Sequence, residues 1–310
     1  MKNLLLAHLA LLGLNLLYGA NHILAKGVMP DHLGPNVFIL FRVAITALLF
    51  FVLFKILVRE KVASKHFFRL AVCGFFGVAL NQLFFFNGLA ITSAFNAGII
   101  MTSTPILVVV LAFFILKEPI TWMKAIGVAV GAFGAVSLIL AKGAPQFDSP
   151  IGDLYILINA LSFGVYLVLV KPLMVIYRPL TVITYNFLFG LIFVCAYPGV
   201  WLDVIHTDFT VIPITIWYKV SFVVFGATFL TYLLNIFALK HVSPSVSGSY
   251  IYTQPMMVIL FTILFATLGW AEDYSSTITA QKFIFMLLIF LGVFLISRST
   301  YLYRKRQKAN

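Results

Sequence analysis

The stretch GLAITSAFNAGIIMTSTP, Gly88 to Pro105, returns in altered form as ALKHVSPSVSGSYIYTQP, Ala238 to Pro255. The two align without a gap at a shift of 150 residues, and Leu89/Leu239, Ser93/Ser243, Gly98/Gly248 and Pro105/Pro255 coincide. A shift of 145 pairs Gly19 with Gly164 and Lys26 with Lys171, and one of 144 pairs Pro35 with Pro179. A shift of 158 lays Ile120-Thr121-Trp122-Met123-Lys124 on Ile278-Thr279-Ala280-Gln281-Lys282 and Gly134 on Gly292. Each match alone is weak, because apolar sequences resemble one another by chance. Their common order and nearly constant offset indicate a duplication.

What is duplicated follows from composition. Of 310 residues, 62 % are hydrophobic and 10 % charged, against about 45–50 % and about 25 % in a soluble domain. So few charges cannot clothe a water-facing surface, which excludes a soluble enzyme, a secreted binding module and a disordered chain. The expectation is an all-α membrane protein. A helix needs about 20 residues to cross the hydrocarbon, and apolar runs of that size fall at roughly 4–25, 36–58, 70–91, 94–116 and 120–141, then 152–174, 180–201, 213–239, 244–269 and 279–300. The first run carries Asn15, Tyr18, Asn21 and His22 in its second half. It is too long for the apolar core of a cleaved signal peptide and reads as a retained span.

Ten transmembrane helices make two five-helix repeats, residues 1–143 and 150–303, with a basic tail at 304–310. Five is odd, so the copies lie inverted in the membrane. Inverted repeats are a transporter architecture, with the substrate site near the midplane where the halves meet. Lys and Arg set the orientation. With the N-terminus in the cytoplasm, that side collects Lys55, Arg59, Lys61, Lys65 and Arg69 in one loop and Arg304, Lys305, Arg306 and Lys308 in the tail. The other side receives Lys26, Lys142, Lys219 and Lys282. Both termini are therefore expected to be cytoplasmic and the location the inner membrane. The net charge of +12 is accounted for by these topology anchors, and no nucleic-acid partner is expected. Cys73 and Cys195 lie in apolar stretches and supply neither a disulfide framework nor a metal set. No cofactor is implied.

Three features give a family resemblance: the Gly-(six residues)-Lys pattern Gly19…Lys26 and Gly164…Lys171, the stretch from Gly88 through Leu116-Lys117-Glu118-Pro119, and its echo Ala238–Pro255. In these the chain resembles the drug/metabolite transporter superfamily, and its EamA family in particular. The resemblance covers nearly the whole chain and is specific for the fold. It implies ten spans in two halves and the export of amino acids or other small metabolites. The chain departs from the pattern where Leu268 takes the place of Glu118, with Glu272 four residues late, and where Tyr18 precedes Gly19 in place of a frequent Trp.

Acids are absent from the expected mid-membrane segments, since all nine lie in loops or at helix ends. The small multidrug antiporters of the superfamily use an embedded Glu, so carboxylate-driven export of cations is not expected here. Arg42, about seven residues into the second span, is the contrary signal: a charge in the membrane costs about 2.5–3.5 kcal/mol on insertion scales and usually faces a cavity. A positive cavity without acids suits an anionic group. Lys26 and Lys171, at the ends of the first helix of each half, either join it or snorkel to the interface.

The candidate substrate-binding set is Asn15, Tyr18, His22, Arg42, Asn81, Gln82, Asn159, Tyr166, Ser249 and Tyr252. Interhelical hydrogen bonding is the competing explanation for each polar residue taken singly, and for His22 a neutral, bonded ring competes with a proton shuttle. Pro105 and Pro255, at matching places, are candidate hinges, with a static kink as the alternative. Gly127, Gly131 and Gly134 predict close helix packing, within one protomer or between two. The leading reading is a secondary exporter of amino acids or related carboxylate-bearing compounds, working by alternating access, with a small molecule and the lipid bilayer as partners and a monomer or homodimer as assembly. An exchanger of phosphorylated or nucleotide-linked anions, and a receptor or structural protein, remain as alternatives. An enzyme is disfavoured, because no paired carboxylates, metal set or activated nucleophile lie near the midplane.

Overall fold

The computed structural model describes residues 2–29, 32–58, 60–92, 97, 100–140, 149–254, 256–257, 260–261, 264 and 280–307. These are helical or connecting, with no strand among them. Helix α1 spans Lys2–Lys26, α2 Pro35–Leu57, α3 Ser64–Ile91, α4 Thr104–Leu116 and α5 Trp122–Leu140. In the second half α6 spans Pro150–Val170, continued by a turn at Leu173–Ile176. Next come α7 (Pro179–Ala196), α8 (Pro198–His206), α9 (Ile214–His241), α10 (Pro244–Ser249) and α11 (Ala280–Gln307). Seven helices among the described residues are long and apolar enough to cross a membrane, and α4 and α5 are shorter apolar helices.

Prolines start many of these helices. Pro35, Pro150, Pro179 and Pro244 occupy the first turn, where a missing N–H costs nothing and the fixed φ is already helical. Ser149 and Ser243 add side-chain caps, accepting from the Gly152 and Val246 amides at 3.2 and 3.4 Å. The same rule governs Pro105. Continuous helix across 94–116 was the expectation, with a kink at its middle. Instead the chain turns at Thr102–Ser103 and α4 begins at Thr104, so Pro105 sits in the first turn of a new helix. Pro255 lies outside the described residues, as do the side chains of His22 and Lys26.

The 150-residue repeat extends well upstream of the stretch that reveals it. Helices α3 and α9 both run α-helix, π turn, α-helix, and the wide turns fall at Phe75–Leu80 and Phe225–Leu230. Start, interruption and end all match at that one shift. Packing follows the repeat. The C-terminal part of α9 lies on α1, and the C-terminal part of α3 lies on α6, while α2 and α7 pack on each other at the centre. One buried apolar cluster joins the halves there, including Phe38, Phe50, Tyr166, Phe187 and Tyr232. Phe68, Trp122, Phe133, Val175 and Phe294 are turned outward, as an apolar solvent requires.

Glycine lets α5 and α11 touch backbone to backbone. A Cβ on Gly292 would stand 2.6 Å from Gly131 Cα, and one on Gly127 2.9 Å from the Gly292 carbonyl. The small-residue face of α5 is therefore occupied within the protomer. At one end of the bundle Glu118 Oε2 meets Lys124 Nζ at 3.3 Å and accepts from Ser245 Oγ at 2.8 Å, tying the two halves together.

Candidate functional site

A cavity opens where α1, α2, α3, α6, α9 and the segment after α10 converge, with Met101 on one wall. Its empty volume is about 730 Å³ with the mouth included. Six of the ten sequence-selected residues line it: Asn15, Tyr18, Arg42, Asn81, Gln82 and Asn159. Four others complete the polar wall, Asn21, Asn235, Ser247 and Gln254, and Phe85, Phe86 and Phe163 with Leu14 and Ile251 form the apolar one.

Arg42 is the dominant charge. It is 3 % exposed, and its Nε donates to Thr228 Oγ1 at 2.9 Å, a residue of the second π turn. The guanidinium lies over the Phe86 ring at 4.3 Å and near Phe38 at 5.5 Å. Among the described residues its Nη1 has no hydrogen-bond partner, and no carboxylate lines the cavity. The acids do other work at helix ends: Asp153 accepts from Thr92 Oγ1 at 2.5 Å and Asp203 from Asn36 Nδ2 at 2.9 Å.

The amides divide into tethered and open groups. Asn15 donates to the Leu11 carbonyl at 2.7 Å and accepts from Gln254 Nε2 at 3.1 Å, joining α1 to the second half. Asn235 Oδ1 accepts from Ser247 Oγ at 3.1 Å. Asn159 Nδ2 donates to the Asn81 carbonyl at 2.7 Å, which leaves its Oδ1 unpartnered. Asn21 Oδ1 and Gln82 Oε1 are unpartnered as well. Among the described residues the cavity thus presents the unpartnered Arg42 Nη1, the Gln82 amide nitrogen and three free carbonyl oxygens beside an aromatic wall.

The remaining sequence candidates lie elsewhere. Tyr252 packs its ring on Gly131 and donates to the Val128 carbonyl at 3.3 Å, serving the α5–α11 contact. Ser249 is buried and donates to its own helix at Val246 O, 2.8 Å. Tyr166 is buried against Gly77 of the first π turn. Lys171 Nζ bonds the carbonyls of Leu239 and Val242, capping the C-terminus of α9, where a cation also complements the helix dipole. Sequence reasoning passed over Tyr232 and Asn235. Carrying the 150 shift upstream from Gln82 would have found Tyr232, whereas Asn235 is the mate of Phe85, which the sequence did not single out.

The EamA-like transporter family matches the chain twice, over residues 5–140 and 150–298. An uncharacterized transporter of Bacillus subtilis, YyaM, is 26 % identical over 269 residues, covering 84 % of this chain and 86 % of the relative. A probable terminal-alkyne amino-acid exporter of Streptantibioticus cattleyicolor is 30 % identical over 124 residues, 40 % of this chain and 41 % of its own. A solved crystal structure superposes with a TM-score of 0.71 at 17 % identity, covering 96 % of this chain and 98 % of the other, and so shares the fold. Two copies of the family unit, apolar helices and a polar cavity between the halves lead to one assignment: this multi-pass membrane protein belongs to the EamA-like transporter family, within the drug/metabolite transporter type.

Proposed function

We propose that the protein exports a small amino-acid-like metabolite across the inner membrane, by alternating access around the cavity at Arg42. Both termini face the cytoplasm, and ten spans form two inverted halves over 1–143 and 150–303. The observation that carries the reading is the unpartnered Arg42 Nη1 in a cavity without acids. A guanidinium matches a carboxylate through a fork of N–H donors. The free oxygens of Asn21, Gln82 and Asn159 suit an ammonium group, which donates three hydrogen bonds and needs no anion if enough acceptors converge. Phe85, Phe86 and Phe163 receive an apolar side chain. The amino-acid exporter among the relatives points the same way.

Counterflow in proteoliposomes tests this, with unlabelled neutral amino acids inside and labelled ones outside. Saturable uptake is expected in the wild type and its loss in Arg42→Ala. Uptake unaffected by Arg42→Ala would remove the arginine from the pathway. Counterflow of sugar phosphates alone would replace the zwitterion with a phosphorylated anion.

A further inference from the structure

Residues of both halves line the cavity. Five repeat-related pairs face it together: Gln82/Tyr232, Phe85/Asn235 and Met101/Ile251 at a shift of 150, and Leu14/Asn159 and Tyr18/Phe163 at 145. Seven lining residues have no mate in the lining, and two of these are Arg42 and Asn21. Their mates, Asn186 at a shift of 144 and Tyr166 at 145, do not line the cavity and are 0 % exposed. Those two lie side by side beneath the first π turn. A Cβ on Gly77 would stand 2.3 Å from the Tyr166 ring, and one on Gly74 2.6 Å from the Asn186 carbonyl.

Neither amide atom of Asn186 nor the Tyr166 hydroxyl has a hydrogen-bond partner outside the pair. Left so in an apolar core, each group costs about 1–3 kcal/mol, and natural cores rarely retain such groups without reason. Arg42, Asn21, Gln82 and Asn159, which line the cavity, share that condition, as do Thr46, Ser103, Thr104 and Ser297, which do not. The repeat supplies a reason for the hidden pair.

We propose that Tyr166 and Asn186 form a second half-site, which lines the pathway when the protein faces the other side of the membrane and there holds the group that Arg42 holds here. That this group is a carboxylate rests on the function proposed above. A hydroxyl and an amide are neutral donors that lack both the charge and the bidentate fork of a guanidinium. The substrate is therefore gripped on one side and held loosely on the other. Glycine explains which side is closed. A Cβ on Gly190 of α7 would stand 2.6 Å from Val78 Cβ, so α7 seats directly on the first π turn. The repeat mates of Gly190 and Gly74 are Thr46 and Val224, so the glycine-to-backbone seat of the first half has no counterpart beside Arg42.

The test uses the full chain in proteoliposomes, with Cys73→Ala and Cys195→Ala as background and a membrane-impermeant thiol reagent applied to either face. Asn21→Cys reports the present cavity and Asn186→Cys the hidden half. The two are expected to react from opposite faces. Adding Gly190→Leu, which wedges α7 off the π turn, is expected to raise the reaction of Asn186→Cys about tenfold and to lower that of Asn21→Cys. Tyr166→Cys serves if Asn186→Cys elutes aggregated. Reaction from the same face as Asn21→Cys, or none from either face while Asn21→Cys stays reactive, overturns the proposal. No substrate enters this readout. Opposite-face labelling with failed amino-acid counterflow would therefore sink the carboxylate and leave the half-site standing.

Discussion

Replacing Arg42 by methionine separates holding the fold from holding a ligand. The bond from Nε to Thr228 has a charged donor and is worth about 1.5–3 kcal/mol, and a shielded cation over a ring such as Phe86 adds about 2 kcal/mol. Against these stand an insertion cost of about 2.5–3.5 kcal/mol for a charge in the membrane and about 1–3 kcal/mol for the unsatisfied Nη1. The contributions nearly cancel. A methionine of similar reach is therefore expected to leave unliganded stability within about 1 kcal/mol of wild type, so that the melting temperature in detergent hardly moves. Ligand behaves differently. At a hundred times its Kd it stabilises the wild type by about 2.7 kcal/mol. Losing charge-assisted bonds of about 1.5–3 kcal/mol raises Kd roughly 10- to 150-fold, which removes from about half to nearly all of that stabilisation at the same concentration. Tryptophan-fluorescence melting with and without the amino acid found by counterflow reads both quantities. A variant that melts several degrees low on its own yet keeps the full ligand shift would show that Arg42 holds the bundle and not the substrate.

Three further substitutions probe the frame. Glu118→Gln strands Lys124, 3 % exposed, and breaking a buried pair costs about 3–5 kcal/mol. With Glu118 itself 18 % exposed the fall in melting temperature should correspond to the lower end, and Lys124→Met in the same chain should recover most of it. Gly292→Ala drives a methyl into Gly131 and is expected to cost about 1–3 kcal/mol as overpacking. An unchanged melting temperature would mean that α5 and α11 are not in backbone contact. Tyr232→Phe removes the 2.8 Å bond to the Gly77 carbonyl, which runs from α9 just after its π turn to the first π turn. About 1 kcal/mol of stability should go with it, while thiol labelling at Asn21→Cys should increase if that bond restrains the halves.

The parts legible in the sequence are those set by solvent and by duplication. A hydrocarbon solvent dictates long apolar helices, and the 150 shift announces two copies. The polar candidates on the first and third spans reach the cavity because a polar side chain there has few other places to go. Tyr252 and Ser249 are different. Each has local work, a ring seated on Gly131 and a bond to Val246 O, and composition cannot tell such a residue from a lining one. Asn21 was legible only through helix phase. Leu14, Tyr18 and Asn21 face the cavity together, at the i, i+4, i+7 spacing of one stripe, whereas Asn15, Tyr18 and His22 appear to the eye as the more polar stripe. The break before Pro105 was hidden because proline signals both a kink and a helix start, and only the turn at Thr102–Ser103 decides between them.

The two π turns also carry a record of descent. A π turn holds one residue more than the α-helix around it accommodates, so it arises from an insertion, and independent insertions would seldom land at the same place. Phe75–Leu80 and Phe225–Leu230 occupy the same position in helices of 28 residues each. The extra residue is therefore older than the joining of the halves. A single ancestral unit already bore it, and one position of that unit became 42 in the first copy and 186 in the second. The difference between Arg42 and Asn186 arose after fusion, when one chain first became free to make its two faces unequal.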